Sequence, residues 1–170
     1  FLLKNNFDLK KTVATILRSK LFFSNKNLKT QVASPTDFAI STVRSMELFE
    51  PSPDTVKLAW QIDSMGQRLF EPPNVFGWKG GRSWINTRSL FSRRRFVSAL
   101  IDGKLHRAKG IRLAKSLISK YKIDGANRTN FFSQLLLGSD CKSQNARSLE
   151  LVPTRNGLIE LMASSNAQLQ

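Results

Sequence analysis

Apolar residues recur every three or four positions along most of the chain, a period that predicts amphipathic α-helices. Capping residues mark the helix starts: Asp8 precedes the first periodic stretch, and Ser34 stands before a proline at the start of the second. No internal repeat and no alternating pattern typical of a β-strand is visible. The sequence therefore predicts an all-α protein, an irregular helical bundle. The expected helices have approximate bounds 8–21, 34–46, 52–66, 87–101, 104–122, 129–137 and 155–167.

One long segment, from about residue 66 to residue 86, breaks this pattern. Consecutive prolines at 72 and 73 and glycines at 77, 80 and 81 exclude a regular helix. The predicted bundle is thus interrupted by one long Pro/Gly/Trp-rich loop. A loop of this length in a compact domain is often functional.

The charge balance is strongly basic, since 27 Lys and Arg against 12 Asp and Glu give the 170 residues a formal charge of +15. This excess predicts either a surface for nucleic acid, acidic glycan or acidic lipid, or solvated faces that complement acidic protein surface elsewhere. No recognisable nucleic-acid-binding module accompanies the charge, and aromatic residues do not alternate with the basic ones. Weak polyanion affinity is the expectation from charge alone. The candidate polyanion contacts are Arg93, Arg94, Arg95, Arg107 and Arg112.

The residues that build most catalytic and metal sites are scarce. One cysteine, Cys141, and one histidine, His106, exclude an intramolecular disulfide and a thiolate or imidazole zinc cage. Asp63 and Glu71 flank the loop as a conceivable acid–base pair, but isolated carboxylates are generic. No cofactor, metal or membrane span is predicted, because no apolar stretch approaches the ~20 residues that cross a bilayer.

The loop and its flanks carry a family resemblance. Residues 65–87 read MGQRLFEPPNVFGWKGGRSWINT, followed by a helix that contains Arg93. This stretch resembles the "GQ…F.PPNV.GW.GG..WIN" signature of the bacterial domain of unknown function 1800 family. Residues 8–22 and 34–44 are similar to two helices of that family. The closing residues 165–170 depart from its usual "L…L.SPEFQ.R" ending, and Asp37-Phe38 replaces a more usual Glu-aliphatic pair.

This resemblance implies an architecture and a location. Family members are usually several hundred residues long, so residues 1–170 are expected to be the C-terminal part of a single larger helical domain. Its N-terminal part, absent from this chain, is then the first expected partner. Many members look secreted, which implies an extracytoplasmic location: periplasm, envelope or medium. The family is uncharacterised, and the resemblance therefore implies no catalytic residues.

Two interpretations of the loop remain open at this stage. In the first, exposed Trp78 and Trp84 form a stacking platform for a sugar or base, and amides supply hydrogen bonds. In the second, Phe70, Val75, Phe76 and the two tryptophans fill the bundle core and the loop only bridges two helices. Arg93 would then hold the loop through its carbonyl groups. The candidate contacts for a ligand or partner are Gln67, Asn74, Trp78, Trp84, Asn86 and Arg93, with Asn86 also a candidate helix cap.

Three function hypotheses follow. The first is a structural or interaction module of a secreted or envelope-associated protein, contacting a protein or glycan partner. The second is part of a hydrolase or carbohydrate-processing enzyme whose remaining site residues lie upstream. The third is a binder of polyanions such as nucleic acid or acidic glycan.

Overall fold

The structure, a computed structural model, describes residues 1–24, 26–27, 29–47, 52–105, 110–138 and 153–169. It divides into two compact units, unit 1 with residues 1–31 and unit 2 with residues 32–169. The all-α prediction is confirmed: over the described ranges the chain is helical and contains no β-sheet, only an isolated antiparallel bridge between Val32 and Leu169.

The described residues form seven α-helices joined by turns and short 3₁₀ segments. The helices are α1 (Leu9–Leu17), α2 (Pro35–Ser45), α3 (Thr55–Ser64), α4 (Thr87–Ile101), α5 (Gly110–Tyr121), α6 (Arg128–Leu137) and α7 (Arg155–Met162). The 3₁₀ segments are Leu3–Asn5, Gly81–Trp84, Gly125–Asn127 and Asn166–Gln168.

Side-chain caps fix where most of these helices begin. Asp8 accepts a hydrogen bond from the Lys11 N–H and Ser34 accepts one from the Asp37 N–H, as the sequence predicts. Helix α3 begins later than expected, because the Asp54 carboxylate, and not Ser52, caps it. The caps therefore confirm the predicted starts of α1 and α2, whereas α3 starts later than predicted.

Three further helix bounds differ from the predictions. Helix α1 ends at Leu17 and not near residue 21. Residues 104 and 105 form a bend and are not helical, residues 106–109 lie outside the described residues, and α5 is described from Gly110. The last helix ends at Met162 and is followed by the 3₁₀ turn Asn166–Gln168. Residues 139–152, between α6 and α7, also lie outside the described residues.

The hydrophobic core of unit 2 is centred on α4. This helix packs against α3, α5 and α7, while α2 packs against α3 and α6. Phe38 of α2 and Phe96 of α4 meet edge to face, with ring centroids 6.0 Å apart. Phe132 of α6 and Leu158 of α7 are fully buried in the same core. Burial of these large side chains supplies the main driving force for folding of the unit.

Unit 1 presents its apolar residues to the surface. Helix α1 contains no buried residue, although its apolar positions follow helical spacing. Leu9, Val13 and Ile16 lie on one face of the helix and are each more than half exposed. The amphipathic pattern therefore predicted a helix here correctly, but the apolar face of this helix is not buried.

Glu47, just after α2, makes an acid-sensitive link to the end of α5. Its carboxylate accepts hydrogen bonds from Lys120 Nζ at 2.6 Å and from the Tyr121 hydroxyl at 2.7 Å. These bonds lower the pKa of Glu47 below its ordinary value of 4.5. The stabilisation is therefore complete above that value and is lost as the pH falls through the lower folded-state pKa.

We expect a Glu47→Gln variant to lose less stability than the wild type when the pH is lowered from 7 to 3. Glutamine carries no charge that acid can remove, so the linked loss disappears. Urea unfolding at both pH values measures the difference. Equal losses in the two proteins would show that the link does not contribute to acid sensitivity.

Candidate functional site

The loop between α3 and α4 is anchored at its start by polar and apolar contacts. Met65 is buried in the core, and Gly66 continues the chain with a φ of 102°, a left-handed conformation that glycine adopts without strain. The Gln67 side-chain oxygen accepts hydrogen bonds from the Thr36 N–H at 3.0 Å and from the Thr36 hydroxyl at 2.9 Å. Gln67 thus ties the loop to the first turn of α2.

The end of the loop is held by the start of α4. Asn86 and Ser89 form a reciprocal capping box: Ser89 N–H donates to the Asn86 side chain at 2.9 Å, and Asn86 N–H donates to Ser89 Oγ at 3.1 Å. The Ser89 hydroxyl also donates to the Trp84 carbonyl at 2.7 Å. Trp84 is buried, with 9% of its surface exposed. The prediction that Asn86 caps the following helix is confirmed.

Arg93 lies fully buried in α4 and joins distant parts of unit 2. Its Nη2 donates to the Ala33 carbonyl at 2.7 Å, and its Nη1 donates to Gln168 Oε1 at 2.9 Å. The guanidinium carbon lies 4.9 Å from the centre of the Phe38 ring, a cation–π contact. Burial lowers the pKa of Arg93 to about 10, so the group stays charged at neutral pH. Its Nε finds no hydrogen-bond partner among the described residues.

Between these anchors the loop displays apolar side chains to solvent. Phe70, Val75 and Phe76 are 95%, 94% and 93% exposed. Phe70 has a φ of 65°, which a bulky residue rarely adopts. Asn74 shapes the turn, because its Oδ1 accepts from the Phe76 N–H at 2.9 Å. The loop is therefore an anchored segment with an apolar tip.

Neither sequence interpretation of the loop describes it fully. The stacking platform needed two exposed indoles, but Trp84 is buried and Trp78 is only partly exposed. The core-filling interpretation is wrong for the three apolar tip residues, which point into solvent. Arg93 was expected to donate to carbonyl groups of the loop, but the carbonyl group that it binds is that of Ala33, outside the loop. The side-chain oxygens of Gln67 and Asn74 already accept bonds within the protein.

The predicted polyanion contacts are dispersed. Arg93 cannot contact an external polyanion because it is buried. Arg94 pairs with Glu160 of α7 at 2.6 Å, whereas Arg95 and Arg112 are exposed. Arg107 lies outside the described residues, as do His106 and Cys141. The described arginines therefore do not form one continuous contact.

Two features were missed at the sequence level. The first is Gln168, which is 4% exposed and is the polar partner of Arg93. Gln168 matches the glutamine of the family's closing pattern when Ser164 is aligned with the serine of that pattern. The second is an apolar groove of about 650 Å³, which is lined by Ile85 at the end of the loop and by Leu90, Phe91 and Leu169. Leu90 and Phe91 lie on the outward face of α4. The periodicity predicted the helix but not this exposed apolar face.

The described part of the chain offers no group of three or more His, Cys, Asp or Glu side chains placed to hold a metal ion. Within the same ranges, no helix combines the length and apolar character needed to cross a bilayer.

These features define an all-α protein whose helices hold an apolar-tipped loop at both ends. The sequence profile of the family described as "Protein of unknown function (DUF1800)" matches residues 1–167, nearly the whole chain. The chain therefore belongs to this family. No curated protein and no solved structure matches it.

Proposed function

We propose that the chain is a structural and interaction module whose loop binds an apolar protein surface. The observation that carries this proposal is the exposure of Phe70, Val75 and Phe76, each at least 93%, on a segment fixed at both ends. Several large apolar side chains exposed on one short segment are a common mark of protein–protein contact. Its anchors reduce the conformational entropy that binding would otherwise cost.

The surroundings of the tip indicate the chemistry of the partner. Glu71 is paired with Arg68 at 3.2 Å, while Lys79, Arg82 and Arg88 are exposed near the loop end. A complementary partner surface is therefore an apolar cleft bordered by acidic residues. The groove lined by Ile85 offers a second apolar area on the same unit.

The N-terminal part of the larger helical domain, which the family resemblance implies, is the partner to which the proposal commits. Burial of the tip against that part would remove its apolar side chains from water. An extracytoplasmic location is part of the same proposal and rests on the resemblance alone.

The test is association of this chain with that N-terminal part, expressed as a separate polypeptide. A double variant, Phe70→Ser with Phe76→Ser, is expected to bind at least tenfold more weakly, because it loses two aromatic anchors of the kind that dominate interfaces. Calorimetric titration measures the affinity, and circular dichroism checks that the helices are retained.

Val56→Ser provides a matched control, since Val56 is an exposed apolar residue of α3 away from the loop. It should bind as the wild type does. The proposal would be overturned if the wild-type chain did not associate, or if the double variant bound as tightly as the control.

A further inference from the structure

Trp60 lines a groove that the sequence pattern did not reveal. This tryptophan lies on α3, and 75% of its surface is exposed. The groove has a volume of about 340 Å³ and lies between α3 and the end of α4. Its walls include Lys57, Trp60, Gln61, Arg95, Asp102 and Lys104.

The groove is positively charged. Lys57, Arg95 and Lys104 contribute three cations to its walls, and Asp102 contributes one carboxylate. Lys57 is paired with Asp54, 3.4 Å away and not part of the groove wall. The Asp102 carboxylate is already held by Arg155, whose Nε and Nη2 donate to its two oxygens at 2.7 and 2.9 Å. Asp102 and Lys57 are thus each compensated from outside the groove, and Arg95 and Lys104 determine the charge inside it.

Backbone bonds fix the geometry of this groove before any ligand arrives. Lys104 N–H donates to the Ala99 carbonyl at 2.9 Å, which closes the end of α4. The neighbouring Leu105 is buried, and its carbonyl accepts from the Asp54 N–H at 3.3 Å at the start of α3. Trp60 and Arg95 project from the two helices joined in this way, so their relative position is set by the fold.

We infer that this groove binds one ring of an acidic saccharide. The exposed indole offers an apolar face on which a sugar ring can lie, and the Gln61 amide can bond its hydroxyl groups. Arg95 and Lys104 are placed to bind a carboxylate substituent through charge-assisted hydrogen bonds. A nucleic-acid strand is less suited, because the groove walls hold one aromatic ring, whereas a strand uses successive stacked rings.

The probe is an oligogalacturonate, titrated calorimetrically into the full chain at fixed salt. Trp60→Ala and Arg95→Gln are each expected to weaken binding at least tenfold. Arg112→Gln removes an equal charge from an exposed position of α5 and should change the affinity less than twofold. The double loop variant at Phe70 and Phe76 should keep wild-type affinity, which separates this site from the proposed protein contact.

Several results would overturn the inference. One is the absence of binding by the wild-type chain, and another is equal binding of a neutral cello-oligosaccharide. A loss in Arg112→Gln as large as in Arg95→Gln would indicate diffuse attraction by net charge. Tighter binding of an oligothymidylate than of the oligogalacturonate would assign the groove to nucleic acid instead.

Discussion

Replacing Arg93 with alanine is expected to lower the free energy of unfolding by about 3 kcal/mol or more. The truncation opens a cavity beside Phe38 and leaves the Ala33 carbonyl and the Gln168 amide oxygen without their donor. One effect acts in the opposite direction: burial of the charge is itself unfavourable, as the lowered pKa of Arg93 shows. The cavity and the two orphaned acceptors outweigh that relief.

Two comparison variants separate the causes. Arg93→Met fills most of the space without a charge, so its smaller loss reports the missing hydrogen bonds and cation–π contact, reduced by the relief of the buried charge. Arg94→Ala is the matched control, because Arg94 forms an exposed ion pair with Glu160. Its loss should cost at most about 1 kcal/mol. Chemical denaturation measures all three. A loss in Arg93→Ala as small as that of the control would contradict a central role for the buried guanidinium.

Replacing Gly110 with alanine is expected to destabilise unit 2 by about 2 kcal/mol, with a melting temperature about 6 °C lower. A Cβ at this first residue of α5 would lie 2.8 Å from the Cα of Ile101, the last residue of α4. Because the obstructing atom belongs to the backbone, the two helices must separate, at a cost of about 3 kcal/mol. The better helix propensity of alanine offsets at most about 1 kcal/mol.

Gly125→Ala is the control for this substitution. Its added Cβ would meet no atom within 4 Å, and its backbone is not left-handed. It should be neutral or stabilising by about 0.5 kcal/mol, because alanine restricts the unfolded chain. Thermal unfolding followed by circular dichroism compares the two variants, and equal melting temperatures would show that α4 and α5 do not approach closely.

Much of the fold could be predicted from local signals. The bounds of α4 were predicted correctly, because Asn86 caps its start and Gly103, with a φ of 76°, follows its end. The error at α3 has the same local origin: Ser52 and Asp54 are both good caps, and sequence alone does not decide which side chain reaches the free N–H groups. The exposed face of α1 shows that periodicity reports amphipathicity and not burial.

The candidate sites were harder to predict for a physical reason. Inside an irregular loop no periodic pattern distinguishes buried from exposed positions. The sequence therefore does not indicate that Trp84 is buried while Phe76 is exposed. Trp60 shows the same problem on a helix, where its neighbours Leu58 and Ile62 are buried while the indole faces outward. The partner of Arg93 lies 75 positions away, a separation that only the tertiary fold resolves.

The pairing of Val32 with Leu169 has a topological consequence. The Ala33 N–H donates to the Gln168 carbonyl at 2.8 Å, so the first and last residues of unit 2 are neighbours in space. A short peptide could join them, and new termini could be opened at the exposed tip between Phe70 and Phe76. The adjacent ends of unit 2 therefore make it suited to circular permutation.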